Sequence, residues 1–155
     1  LPYPKLALKG LNKIIPKDLN PENKERLTSN FEASITYSRQ IGNIYTGSLY
    51  LGLLSLLEQS QDLKSGDKIG FFSYGSGAVS EIFSGYLVEG YKDMLHSNRL
   101  DTFAKRQKLS VADYEKLFYE EAQLDDIGST QFAEYQTGPF RLTEISEHQR
   151  IYKGN

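Results

Sequence analysis

Apolar positions divide the chain into segments of different period. Between Tyr3 and Ile15, Leu6, Leu11, Ile14 and Ile15 recur at helical spacing behind Pro4, a residue suited to a first turn, and predict a helix. Residues Pro16 to Asn20 break it. Pro21 then opens a second predicted helix that runs to about Arg39, with Leu27, Phe31 and Ile35 on one stripe. The stretch "IGNIYTGS" interrupts, and Thr46 or Ser48 is placed to cap a third helix, "LYLGLLSLLEQ". Its leucines at 49, 51, 53, 54, 56 and 57 point in every direction. A helix apolar all round is expected at the buried centre of a layered protein.

The period then changes. "KSGDK" turns the chain into a predicted hairpin whose arms, Lys68–Tyr74 and Ala78–Val88, are rich in Phe, Ile, Val and Tyr and meet at a Gly-Ser-Gly tip. Beyond Gly90 the sequence is more polar, with one predicted helix near Lys92–Lys105 and another over Val111–Glu121. Ser110 caps the second, with Asp113 three residues on. Residues 125 to 139 read as loop, and "PFRLTEISEHQRIY" as a last strand. With no internal repeat, low-complexity tract or linker, the reading is one domain over residues 1–155, an α/β fold of helices packed on a mixed sheet with a central hairpin.

The 155 residues, 39% hydrophobic and 25% charged, are enough for a real core. A net charge of −2 gives no bulk attraction for nucleic acid. Cysteine is absent, which excludes disulfides, thiolate metal sites and a cysteine nucleophile within this chain. No apolar run approaches the ~18 residues of a membrane span, so a cytoplasmic protein without membrane partners is expected. The opening "LPYPKL" lacks an initiator methionine and already looks structured, which reads as a piece of something longer.

Three places offer chemistry. "GSGAVS" fails the dinucleotide pattern at its last position and leads into a strand rather than a helix. Turn chemistry alone accounts for Gly75 and Gly77 through positive φ. The functional alternative is that these glycines admit a ligand, while Ser76 and exposed N–H groups donate to an oxyanion or carboxylate. Lys5 and Lys9, four apart, share a helix face and repel by a few tenths of a kcal/mol; they are either a solvated face or a cluster that relaxes on meeting phosphate. Asn43 is either a turn residue or an amide aimed into a cleft, held there by the buried helix. The two histidines, His96 and His148, and the pairs Glu120–Glu121 and Asp125–Asp126 read as solvated surface, and no metal site is expected.

"GNIYTGSLYLGLLSLLE" followed by "GDKIGFFSYGSGAVSEIFSGYLVEGY" closely resembles hydroxymethylglutaryl-CoA synthases of the bacterial type, and "LPYPKLALKGL" resembles the segment after that family's catalytic histidine. The resemblance is strong over about residues 1 to 93, looser through "SVADYEKLF" and weak from about 122. It implies the C-terminal half of a thiolase-like layered fold, in a protein that is usually a homodimer. The family condenses acetyl-CoA with acetoacetyl-CoA and water to hydroxymethylglutaryl-CoA and CoA, in mevalonate and isoprenoid synthesis. It needs no cofactor beyond these substrates.

The family's catalytic cysteine and glutamate belong to an N-terminal half and its histidine would stand just before Leu1, so the resemblance places no catalytic residue in this chain. It assigns Lys5 and Lys9 to the CoA tail and phosphates, Asn43 to the acyl portion of the second substrate, and Ser76 to the product carboxylate. Tyr45, Tyr74, Gly75 and Gly77 fall beside them as substrate contacts. Leu8 stands where some relatives carry a third lysine. The alternative is a self-standing, non-catalytic CoA- or acyl-binding module of the same fold.

Overall fold

Pro4 supplies the first turn of α1 (Pro4–Ile14) in the computed structural model of the chain, which describes residues 4–75, 77, 79–96, 99–119, 123–132 and 138–154. The inward face of α1 is shifted from the predicted stripe. Ala7, Leu8 and Leu11 are half-buried, whereas Leu6 and Ile14 are exposed. Two compact units divide the chain, Leu1–Ser97 and Asn98–Asn155.

In the first unit, Pro21 begins α2 (Pro21–Ile41) behind Asn20, whose side chain accepts the Asn23 N–H at 2.8 Å. Gly42, with φ of 85°, ends the helix and returns its N–H to the Ser38 carbonyl. The predicted stripe points inward at Ile35, which is buried, and at half-buried Phe31. Helix α3 (Gly47–Gln59) packs along α2.

The expectation for α3 is corrected in one respect. Its leucines are only half-buried, and the buried residues are Ser48 and Ser55. Ser48, Gly52 and Ser55 recur at helical spacing, and a Cβ on Gly52 would lie 3.5 Å from the Ser34 carbonyl of α2. The helices therefore meet through the small residues of α3, which let the backbones approach. Ser55 Oγ donates to Ala33 O at 2.6 Å and accepts the Tyr37 N–H at 3.2 Å. Tyr37, 1% exposed, donates its hydroxyl to Glu58 Oε2 at 2.5 Å and accepts from Gln59 Nε2 at 3.2 Å.

Residues 60–67 reverse the chain into β1 (Lys68–Tyr74), which pairs antiparallel with β2 (Ser80–Tyr86) from Lys68↔Tyr86 to Tyr74↔Ser80. The alternation in β1 turns Ile69, Phe71 and Ser73 to one face, where Phe71 stacks on Phe83 with ring centroids 4.8 Å apart. Helix α3 packs on β1. A 3₁₀ turn follows at Tyr91–Met94, and the Tyr91 hydroxyl donates to the Leu63 carbonyl at 3.0 Å.

The second unit holds α4 (Arg99–Ala104), α5 (Val111–Tyr119) and a sheet in the order β3 (Thr130–Gln131), β4 (Phe140–Ser146), β5 (Gln149–Gly154), antiparallel throughout. The predicted helix near Lys92–Lys105 is thus a 3₁₀ turn and a short α-helix. Ser110 caps α5, accepting the Asp113 N–H at 3.1 Å and donating to its carboxylate at 2.6 Å. The single predicted last strand is a hairpin. Its turn residues Glu147 and His148 have φ of 47° and 65°, and their N–H groups bond to Ser129 Oγ and Gly128 O, each at 2.9 Å. Pairing among the described residues is antiparallel in both sheets, where a mixed sheet was expected.

Candidate functional site

Between α2 and α3 the chain makes a turn that Asn43 organises. Its Oδ1 accepts the Tyr45 N–H at 2.7 Å, an Asx turn, and also the Ser48 hydroxyl at 3.3 Å. Ser48 Oγ in turn accepts the Ile44 N–H at 3.1 Å. Tyr45 is held at φ 53°, a left-handed conformation that costs a non-glycine residue about 1–2 kcal/mol. Its ring is exposed. Thr46, one of the two predicted caps, precedes the helix without a side-chain cap bond, and Ser48 carries the polar contact instead. A Cβ on Gly47 would lie 3.0 Å from Ile44 Cδ1, the end of an exposed side chain.

The second predicted contact region lies at the far end of β1. Asn43 stands just before α3 and Tyr74 ends β1, and these two elements pack together. Tyr74 is exposed, and Gly75 donates its N–H to the Val79 carbonyl at 2.9 Å. Gly75 does not use the positive φ that turn chemistry alone would require. Among the described residues, no atom stands within 4 Å of a Cβ built on Gly77. Ser76 lies outside the described residues.

Lys5 and Lys9 stand exposed on α1, and Lys13 continues the row one turn further on. Spacing of four residues keeps all three ammonium groups near one helix face, a local concentration of positive charge suited to phosphates. Among the described residues, no hydrogen bond or ion pair joins Lys5 or Lys9 to Asn43, Tyr45 or Tyr74.

Other polar groups do different work. An open groove of about 420 Å³ is lined by Glu22, Glu25, Arg26, Ser29 and Asp62. Three carboxylates against one guanidinium make it unfit for a phosphate ester. Beside it, Asp67 is held below the usual carboxylate range, first by the Lys64 N–H at 3.0 Å, then by Arg26 at 2.7 Å, with partial burial opposing both. This pair ties α2 to the turn before β1. His96 and His148 are exposed, and no group of three or more potential metal ligands occurs among the described residues.

Comparison with known proteins identifies the family and the fold. The family model for the hydroxymethylglutaryl-coenzyme A synthase C terminal matches residues 5–153. The hydroxymethylglutaryl-CoA synthase of Enterococcus faecalis is 48% identical over 126 residues, 81% of this chain and 33% of its own length. A crystal structure of an HMG-CoA synthase complexed with CoA is 66% identical with a TM-score of 0.85, and one of a Streptococcus mutans protein is 62% identical with a TM-score of 0.82. Both cover all of this chain, which spans 40% and 41% of theirs. The α/β fold is therefore that of thiolase-like HMG synthases, and the chain belongs to the hydroxymethylglutaryl-CoA synthase family as a C-terminal portion.

Proposed function

We propose that this chain forms the substrate-binding wall of a hydroxymethylglutaryl-CoA synthase, an acyltransferase-type condensing enzyme. In the complete reaction the acetyl group passes from CoA to the enzyme nucleophile and CoA leaves. The acetyl methyl carbon then gives up a proton and adds to the ketone carbon of acetoacetyl-CoA, whose oxygen takes up a proton, and water cleaves the enzyme thioester so formed to release hydroxymethylglutaryl-CoA. The chain has no cysteine to carry the acetyl group. The nucleophile, glutamate and histidine come from the remaining part of a longer synthase, whose relatives are about two and a half times this length. The half-buried leucines of α3 support that reading, since they offer apolar surface for that part to cover.

Lys5 and Lys9, with Lys13, take the CoA phosphates. Asn43 addresses the acyl portion of acetoacetyl-CoA, and Ser76 the carboxylate of the product. Tyr45, Tyr74, Gly75 and Gly77 border the same pocket. The observation that carries the proposal is the match of nearly the whole chain, residues 5–153, to this one family. No cofactor is required beyond the CoA thioesters, the working assembly is a homodimer, and the reaction takes place in the cytoplasm, within the mevalonate route to isoprenoids. No described helix is long and apolar enough to cross a membrane.

Two measurements test this. Labelled acetyl-CoA leaves the isolated chain unlabelled, because covalent catalysis needs an activated nucleophile. In the complete synthase Lys5→Ala raises the KM for CoA esters, and the increase shrinks as salt screens the site. Stable labelling of the chain, or a KM untouched at low salt, overturns the assignment.

A further inference from the structure

A carboxamide can present either of its ends to a ligand, and the two ends have opposite hydrogen-bonding character. At Asn43 the choice is forced. The Tyr45 N–H sits 2.7 Å from the inward-facing atom. A backbone N–H needs an acceptor there, so that atom is Oδ1, and an inward Nδ2 would set donor against donor. The Ser48 hydroxyl fits that orientation and supports it. Its oxygen receives the Ile44 N–H at 3.1 Å, and its one proton goes to Asn43 Oδ1 at 3.3 Å. Ser48 is 4% exposed, so water does not readily replace it in this role. Nδ2 makes no hydrogen bond among the described residues, and Asn43 itself is exposed.

We infer that Ser48 is a positioning residue for the acyl site: its buried hydroxyl locks the Asn43 carboxamide with Oδ1 turned into the protein and Nδ2 turned outward, so that an arriving acyl group meets a hydrogen-bond donor. The inference rests on the reading of Asn43 as an acyl contact given above. It commits the ligand atom opposite Asn43 to be an acceptor, such as a thioester or ketone oxygen. The same turn holds the Tyr45 backbone at φ 53°. Ser48 acts through Asn43 and touches no substrate.

The test is a double-mutant cycle in the complete synthase, reading the KM for acetoacetyl-CoA. Asn43→Ala and Ser48→Ala are each expected to raise it about tenfold, as loss of one oriented hydrogen bond does. In the Asn43→Ala background, Ser48→Ala should add less than about twofold, because the group it orients is gone. A serine that only supports the fold lowers performance equally in both backgrounds, and that additivity overturns the inference. So does an unchanged KM for Ser48→Ala when Asn43→Ala raises it. If Asn43→Ala itself leaves the KM unchanged, the acyl-site reading beneath the inference is removed. NMR of the complete synthase with labelled asparagine side chains gives an independent readout. The Asn43 side-chain amide should be ordered like the backbone, with an order parameter near ~0.85, and a value below ~0.6 overturns the locked orientation.

Discussion

Replacing Ser55 with alanine removes a single oxygen from a fully buried position, and the structure gives the cost. Ala33 and Tyr37 are four residues apart in α2, so Ala33 O and Tyr37 N are the two ends of one rung of its hydrogen-bond ladder. Ser55 Oγ bridges that rung from α3, at 2.6 Å from the carbonyl and 3.2 Å from the N–H. Without the hydroxyl, the Ala33 carbonyl and the Tyr37 N–H both lose that partner and a small void is left. Loss of a net hydrogen bond costs about 1 kcal/mol, and a buried group left short of a partner about 1–3 kcal/mol, with the void adding to either.

The expected loss is therefore about 1–3 kcal/mol. For a chain of this size each kcal/mol lowers the melting temperature by about 2–4 °C. Ser55→Ala should melt several degrees below the parent by calorimetry or circular dichroism. The specific signature is the Tyr37 amide, whose hydrogen exchange should accelerate relative to neighbours one turn away in α2. A melting point within about 1 °C of the parent, together with unchanged protection at Tyr37, refutes the bridged rung.

Two further predictions concern stability. Asp67 is held below its ordinary range when folded, so its contribution is complete above the unfolded carboxylate pKa, near 3.8, and is lost as pH falls through the lower folded value. The melting-temperature difference between the parent and Asp67→Asn should accordingly be largest near neutrality and close on acidification toward pH 2. With Arg26 41% exposed and screened, the neutral-pH difference should be about 1 kcal/mol, and a difference that grows in acid contradicts the assignment. Gly128 has φ of 78° and a Cβ there would lie 2.4 Å from the His148 ring, so Gly128→Ala should destabilise the second unit by about 1–3 kcal/mol. The steric part, but not the backbone part, should be relieved by adding His148→Ala in thermal melts.

What the sequence disclosed was governed by local rules, and what it hid was governed by partners far along the chain. Helix α2 was legible from both ends, since Pro21 at its first turn and an inward stripe through Phe31 and Ile35 need no tertiary information. The arms of the β1–β2 hairpin and the Ser110–Asp113 cap were legible for the same reason. The turn at Glu147–His148 was not, because neither residue favours positive φ and the sequence "SEHQ" carries no glycine or asparagine. Its conformation is held by Ser129 and Gly128, some twenty residues away, through the bonds to the two turn amides. At the candidate site, residue types left Asn43 as either a turn residue or an amide aimed into a cleft and gave no orientation for that amide. The orientation resides in the Tyr45 N–H and the Ser48 hydroxyl, and a reading of α3 as uniformly apolar passes over the second.

The serines of α3 also explain how a leucine-rich helix can position a polar site. Ser48 and Ser55 are seven residues apart, two helical turns, and with Gly52 they form the narrow face that meets α2. Had that face been leucine, the helices would stand further apart and neither hydroxyl would reach its partner. Close approach instead lets Ser55 fasten α3 to the backbone of α2, while Ser48, on the same face, fastens the turn that joins them. The two contacts share one rigid helix, so the placement of Asn43 is inherited from helix packing rather than from the loop that carries it. The leucines are left free to face other directions, which is why so many of them remain half-buried in a helix whose own anchoring is polar.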